Sequence, residues 1–339
     1  MTTPADGIAL PSTTEPPAPV TPRPRRRGWS LRAHLVSIVS VTVVLVVLAG
    51  VLLTAKDFQR ARTQAIGDAQ FEAKLAANEI STSIPDLRAL IVRSGISVGE
   101  ATGGNVATLP PDKCNLSFKE FRSFKSGTLR IVLPDGGVLC SSKGDQPAPG
   151  SHPYAGASWL TPVVQTGSVT IVGPLRDPLS RQWALFVAAP IPAPGQPASA
   201  PPPGILAVVL DLAPLASTIH DRFSGFDHLE FLVTDAKRDR VVSDSISPGT
   251  NAARALSPAR YRRADSPKGA VLPDLNGTSR LYLGSRVSEL DWHVYAGIAK
   301  SEVYRPARAA LHDHLVAGLI IVLGVALVTL SGVFTVARR

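Results

Sequence analysis

The chain has 339 residues, a formal net charge of +9, two cysteines and few aromatics. The basic excess is spread out: residues 1–34 hold five Arg against two acids, and residues 56–314 hold 28 basic and 24 acidic side chains. No dense basic stripe with interleaved aromatics is present, which argues against nucleic-acid binding. The GxxxxGK[ST], GxGxxG and HExxH patterns are missing too, which removes the common nucleotide-binding and zinc-hydrolase chemistries.

Residues 1–28 carry seven Pro among Thr and Ala. With the Arg-rich flank to residue 34 they read as a disordered tail with too few apolar residues for a core. Leu35–Ala55 follows, a run of 21 residues without Asp, Glu, Lys or Arg, and Leu315–Val336 is a second such run of 22. At about 1.5 Å per residue each reaches roughly 30 Å, the thickness of a bilayer's hydrocarbon core. Two transmembrane helices are therefore expected, at 35–55 and 315–336. Arg23, Arg25, Arg26, Arg27 and Arg32 mark the N-terminal side of the first span as cytoplasmic. Residues 56–314 are then outside, and residues 337–339 are inside again. The first run is too long for a cleaved signal core, and no A-x-A site follows it, so a retained anchor is expected.

Residues 56–95 read as one helix continuing out of the first span. Ile80, Ile84, Leu87 and Ile91 recur at helical spacing on one face. Pro85 is placed to kink this helix, and Gly95, Gly99, Gly103 and Gly104 are expected to end it. From about residue 116 short strands take over. Thr128–Leu133 alternates, Pro134-Asp135-Gly136-Gly137 is a turn, and Val138–Cys140 resumes the extended pattern. Further strands are expected at 168–172, 183–189 and 205–212, with a Pro-rich loop at 192–204 and a helix at 213–223. The pattern then returns. A hairpin at 230–243 mirrors that at 129–142, and a strand opened by Trp292 mirrors one opened by Trp183, about 100 to 109 residues apart. This reads as two tandem modules of one kind, with Trp183 and Trp292 as a shared core position. Residues 299–314 look helical and lead into the second span.

Both cysteines, Cys114 and Cys140, fall in the segment expected outside, where an oxidising compartment permits a disulfide. Closing that loop stabilises by roughly 3 kcal/mol in the chain-entropy model; two free buried thiols are the alternative. Without further Cys or nearby His they do not make a zinc site, and His312 and His314, two apart on a helix, do not share a face.

A long outward helix, two strand-rich modules, a return helix and a second span resemble the double Cache sensor family of bacterial membrane receptors. The residues that carry the resemblance are GTLRIVLPDGGVLCSS (127–142), YAGASWL (154–160), VGPLRDPLSRQWALFVAAPI (172–191), GILAVVLDLAPL (204–215) and LEFLVTDAKRDRVVSDS (229–245). The resemblance implies an α+β fold: a long N-terminal helix, then two tandem PAS-like Cache modules of antiparallel sheet with flanking helices, bracketed by transmembrane helices. It implies a long helix at 56–95, a membrane-distal module at 96–223, a membrane-proximal module at 224–299 and a return helix at 300–314. It further implies that the distal module binds a small ligand, that the receptor dimerises along its long helix, for which the 80–91 stripe is the expected surface, and that the protein sits in the bacterial inner membrane.

A sensing pocket needs an apolar or aromatic wall and a few aimed polar groups. Tyr154 and Trp159 are the expected wall, and Asp177, Arg181 and Asp211 the expected charged anchors. Each has a plainer reading: Asp177 precedes Pro178 and suits a turn, Asp211 suits a helix N-cap, and Arg181 suits a solvated surface. Asp211 matches the family's ammonium-binding Asp. Ala157 stands where the amino-acid-binding subgroup has Arg, and Leu160 where it has Tyr, so the expected ligand moves toward amines or organic acids. No catalytic residue, metal or cofactor is expected. The chain is expected to carry no effector domain of its own and to be read by a homodimer partner or a separate cytoplasmic effector. The alternatives are the sensory front end of a histidine kinase or a diguanylate cyclase or phosphodiesterase, and an envelope scaffold that binds no ligand.

Overall fold

The structure, a computed structural model, describes residues 31–109, 116–145, 147–148, 150–197, 200–223 and 228–337. Most of the expected tail, Cys114, Arg338 and Arg339 lie outside the described residues. The chain divides into two compact units, one of residues 51–314 and the other of the chain before and after them.

In the second of these units the helical segments are apolar and their side chains stand exposed, among them Val44, Leu48, Leu319, Ile320 and Leu327. Among the described residues, two helices are long and apolar enough to cross a membrane.

The first unit is built on helix α1 (Leu31–Ala101), of which residues 51–101 belong to it. Two five-stranded antiparallel sheets follow. The first has β1 (Gly127–Val132), β2 (Val138–Ser141), β3 (Thr170–Arg176), β4 (Trp183–Ile191) and β5 (Gly204–Asp211), with helix α2 (Leu160–Thr166) between β2 and β3. Helix α3 (Leu215–Arg222) leads to the second, with β6 (Leu229–Thr234), β7 (Val241–Asp244), helix α4 (Pro258–Ala264), β8 (Ala270–Pro273), β9 (Ser279–Val287) and β10 (Trp292–Ala299). Helices α5 (Lys300–Val303) and α6 (Arg305–Ala337) complete the chain. The strand orders are β2-β1-β5-β4-β3 and β7-β6-β10-β9-β8, so the two sheets share one topology. This is a tandem PAS-like fold.

The shared topology preserves the hairpin repeat and corrects the tryptophan repeat. β1–β2 corresponds to β6–β7, and both hairpins shift register near the same point, after Ile131 and after Val233. Trp183, however, opens β4, whose counterpart is β9, while Trp292 opens β10, the counterpart of β5. The two residues are not equivalent. Trp292 is 1% exposed in the core, whereas Trp183 is only half-buried at the mouth of its strand.

One face of each sheet joins a common core with α1. Ala65, Ala69, Ala73, Ile80, Ile84, Leu87 and Ile91 meet Ile131, Leu185 and Leu206 of the first sheet and Phe231, Val233 and Val294 of the second. The 80–91 stripe, expected at a dimer surface, is thus consumed inside its own domain. Gly95 and Gly99 do not end α1 either. They let it touch the chain after β4: a Cβ on Gly99 would lie 2.2 Å from the Pro192 carbonyl oxygen, and one on Gly95 3.0 Å from that of Pro190. The helix ends at Gly103 and Gly104, which take positive φ.

Candidate functional site

Strand alternation gives each sheet a second face. On the first sheet it carries Val132, Ala184, Phe186, Ala188, Ile205, Ala207 and Val209, covered by Tyr154, Trp159, Leu160 and Val163. The covering segment is fixed by the β1–β2 turn. The Tyr154 amide donates to the Gly136 carbonyl at 3.2 Å. Gly136 has φ +92°, and a Cβ there would lie 2.2 Å from the Ala155 nitrogen. Trp159 stacks on Phe186 with centroids 5.4 Å apart, and Tyr154 stands edge-on to Trp159 at 5.2 Å. All three rings are almost wholly buried.

Beneath the rings lies a buried ion network. Arg130, on β1, follows the same alternation as Val132 and is 0% exposed. Its Nη1 donates to both oxygens of Asp177 at 3.0 Å and to the Tyr154 hydroxyl. Its Nη2 donates to Asp145 Oδ2 at 2.6 Å. Tyr154 in turn donates to Asp177 Oδ1 at 2.6 Å. Asp177 also accepts from the Ser180 amide at 2.9 Å and the Ser180 hydroxyl at 2.6 Å, which closes the β3–β4 turn. Burial pushes the Asp177 carboxyl up, but the Ser180 and Tyr154 hydrogen bonds and the Arg130 charge prevail and hold it below the usual carboxylate range. Burial raises the Tyr154 phenol well above its ordinary value, so it acts as a neutral donor. The Nε of Arg130 is buried without a hydrogen-bond partner among the described residues. An unsatisfied buried donor is costly, and this one seeks an acceptor.

Of the sequence-predicted site residues, Tyr154, Trp159 and Asp177 come together here. Arg181 does not: it takes φ +60° in the β3–β4 turn with its side chain exposed. Asp211 ends β5 opposite Ala184, on the aromatic face, half-buried. Its Oδ1 accepts from the Ala213 amide at 3.0 Å, holding the turn toward α3. Cys140 is buried on β2; its expected partner Cys114 lies outside the described residues. The residue that sequence reasoning missed is Arg130. Its signal was a lone guanidinium inside the apolar alternating run Leu129–Val132, a position that buries a charge only when partners are waiting. Among the described residues no three His, Cys, Asp or Glu side chains are grouped to hold a metal ion.

No family model matches this chain, and no curated protein does. Solved structures do. The chain is similar to the ligand-binding domain of the amino-acid chemoreceptor PctB of Pseudomonas aeruginosa PAO1, in complex with L-Gln, at 17% identity and a TM-score of 0.48, over 74% of this chain and 98% of that one. The ligand-binding domain of the Pseudomonas fluorescens chemoreceptor CtaA, in complex with L-serine, gives 16%, 0.49, 71% and 99%. The extracellular domain of the putative histidine kinase rpHK1S-Z16 gives 12%, 0.49, 71% and 96%. The tandem PAS-like assignment rests on the strand order and register of this chain itself.

Proposed function

We propose that the chain is a two-pass bacterial membrane sensor, with residues 56–314 outside the cytoplasm and both termini inside. A small polar solute, an amine, an organic acid or a molecule carrying both groups, is received by the membrane-distal module (96–223). The proximal module (224–299) and the return helix (300–314) carry the response toward the second span. The chain acts as a receptor rather than an enzyme, and a Cys114–Cys140 disulfide pins the β1–β2 hairpin to the segment before it.

The observation that carries this reading is the buried Arg130–Asp177–Tyr154 cluster beneath an aromatic wall, with Arg130 Nε left unpartnered. Such a group stands ready for an acceptor that only a ligand or water can bring. Asp211, half-buried on the same face, offers a carboxylate for an ammonium. The exposed apolar helices support membrane anchoring, because side chains of that kind facing water would aggregate. A homodimer would use the outward side of α1, where Phe71, Leu90 and Ile96 stand exposed.

One observation favours a scaffold instead: Asp177 is fully satisfied within the protein. A thermal-shift panel of amines, organic acids and amino acids on the full-length protein in nanodiscs separates the two readings. A ligand at a hundredfold excess over its Kd adds about 2.7 kcal/mol, and Asp211→Asn should weaken the response to amines. A panel with no responder favours the scaffold.

A further inference from the structure

The second face of the proximal sheet holds a charge cluster that the distal-module reading does not use. Glu230, at the start of β6, is 1% exposed. Its Oε2 accepts from the Tyr282 hydroxyl at 2.9 Å and pairs with Arg280 Nε at 2.7 Å. Arg280 Nε is shared with Asp274 Oδ2 at 2.9 Å. The other oxygen, Glu230 Oε1, is buried with no hydrogen-bond partner among the described residues, and so are Asp244 Oδ2 and Glu302 Oε2.

Glu230 and Glu302 both line a cavity of about 320 Å³, together with His220, His228, Ser245 and Arg280. Glu230 Oε2 and Asp274 share Arg280, Glu302 Oε2 lies 3.2 Å from Arg305 and 3.9 Å from His228, and Arg254 faces Asp244. Among the described residues, the carboxylate oxygen at the cavity with neither an ion pair nor a hydrogen bond is Glu230 Oε1. A buried oxygen of this kind calls for an N–H donor, best one carrying positive charge. A metal ion is a poor match, because no three such side chains are grouped to hold one among the described residues.

We propose that this cavity in the membrane-proximal module is a second binding site, for a small organic ammonium ion bound between Glu230 on β6 and Glu302 on α5. Because Glu302 sits on the four-residue helix just before α6, an occupant ties the proximal sheet to the helix leaving the domain. This site is independent of any ligand on the distal module.

The test is thermal shift and calorimetry on the full-length protein in nanodiscs. The probe is 1,4-diaminobutane dihydrochloride, with sodium chloride at matched ionic strength and 1,4-butanediol as controls. The diamine should raise Tm and the controls should not. Glu230→Gln and, separately, Glu302→Gln should each weaken diamine binding about tenfold or more, the loss of a charge-assisted hydrogen bond. Glu302 is partly exposed, so its variant folds even if the Glu230 variant does not. A diamine effect no larger than that of salt, or one that both folded variants keep, overturns the proposal.

Discussion

Replacing Arg130 with Met removes the cation paired with Asp177 beneath the aromatic wall while keeping a long side chain of similar reach. Asp177 is then left 0% exposed without its ion pair. Breaking a buried pair by deleting one partner costs about 3–5 kcal/mol. The lower end applies here, because Asp177 keeps its three short donors, the Ser180 amide, the Ser180 hydroxyl and the Tyr154 hydroxyl. Asp145, one-third exposed, turns to water. About 3 kcal/mol in a domain of this size lowers Tm by roughly 6–12 °C. The second arm is the cycle with Asp177→Asn. If the two groups act through each other, the double variant loses clearly less than the sum of the singles. The assay is thermal unfolding of the full-length protein in nanodiscs, followed by near-UV dichroism of the Trp159 and Tyr154 environment. A Tm fall under about 3 °C for Arg130→Met, or additive losses in the cycle, would refute the reading of Arg130 as the keystone of the cluster.

Other outcomes follow from the same geometry. Burial raises Glu230 from 4.5 to about 7, with Arg280 and Tyr282 opposing. A carboxyl raised on folding costs stability as pH rises: nothing below its unfolded value, and up to about 3 kcal/mol above pH 7. Wild type should therefore lose roughly 2–3 kcal/mol relative to Glu230→Gln between pH 5 and pH 8, seen as converging Tm curves toward low pH; parallel curves would sink the idea. Gly99→Ala should destabilise by about 1–3 kcal/mol through overpacking, because its Cβ would sit 2.2 Å from the Pro192 oxygen. Gly67→Ala, with nothing within 4 Å of the added carbon, should stabilise α1 by up to about 1 kcal/mol. Alkylation of the denatured protein should label Cys114 and Cys140 only after reduction; labelling without reductant contradicts the bridge.

Much of the fold was legible because its signals are local. The β1–β2 and β6–β7 hairpins announce themselves through alternation and turn residues, and α1 through its spaced Ile and Ala. What stayed hidden depends on partners distant in sequence. α2 has seven residues and α4 has seven, too few turns for a periodic pattern. β9 carries Gly284 in mid-strand, where the Tyr295 ring fills the space a Cβ would take, and this breaks its apolar reading. Gly95 and Gly99 look like stops until the chain after β4 is laid across them. The site shows the same division. Tyr154, Trp159 and Asp177 drew notice as residue types in a recognisable order. Arg130 acquires its meaning only when Asp177, 47 residues on, is folded against it.

The sensing role stands or falls with where residues 56–314 reside. Lys237, exposed in the β6–β7 turn, is a position at which a new thiol would disturb little. We predict that the Lys237→Cys variant, expressed in intact spheroplasts, is labelled by a membrane-impermeant maleimide as fully as after lysis. Labelling that requires permeabilisation would place the domain in the cytosol and contradict an extracytoplasmic receptor.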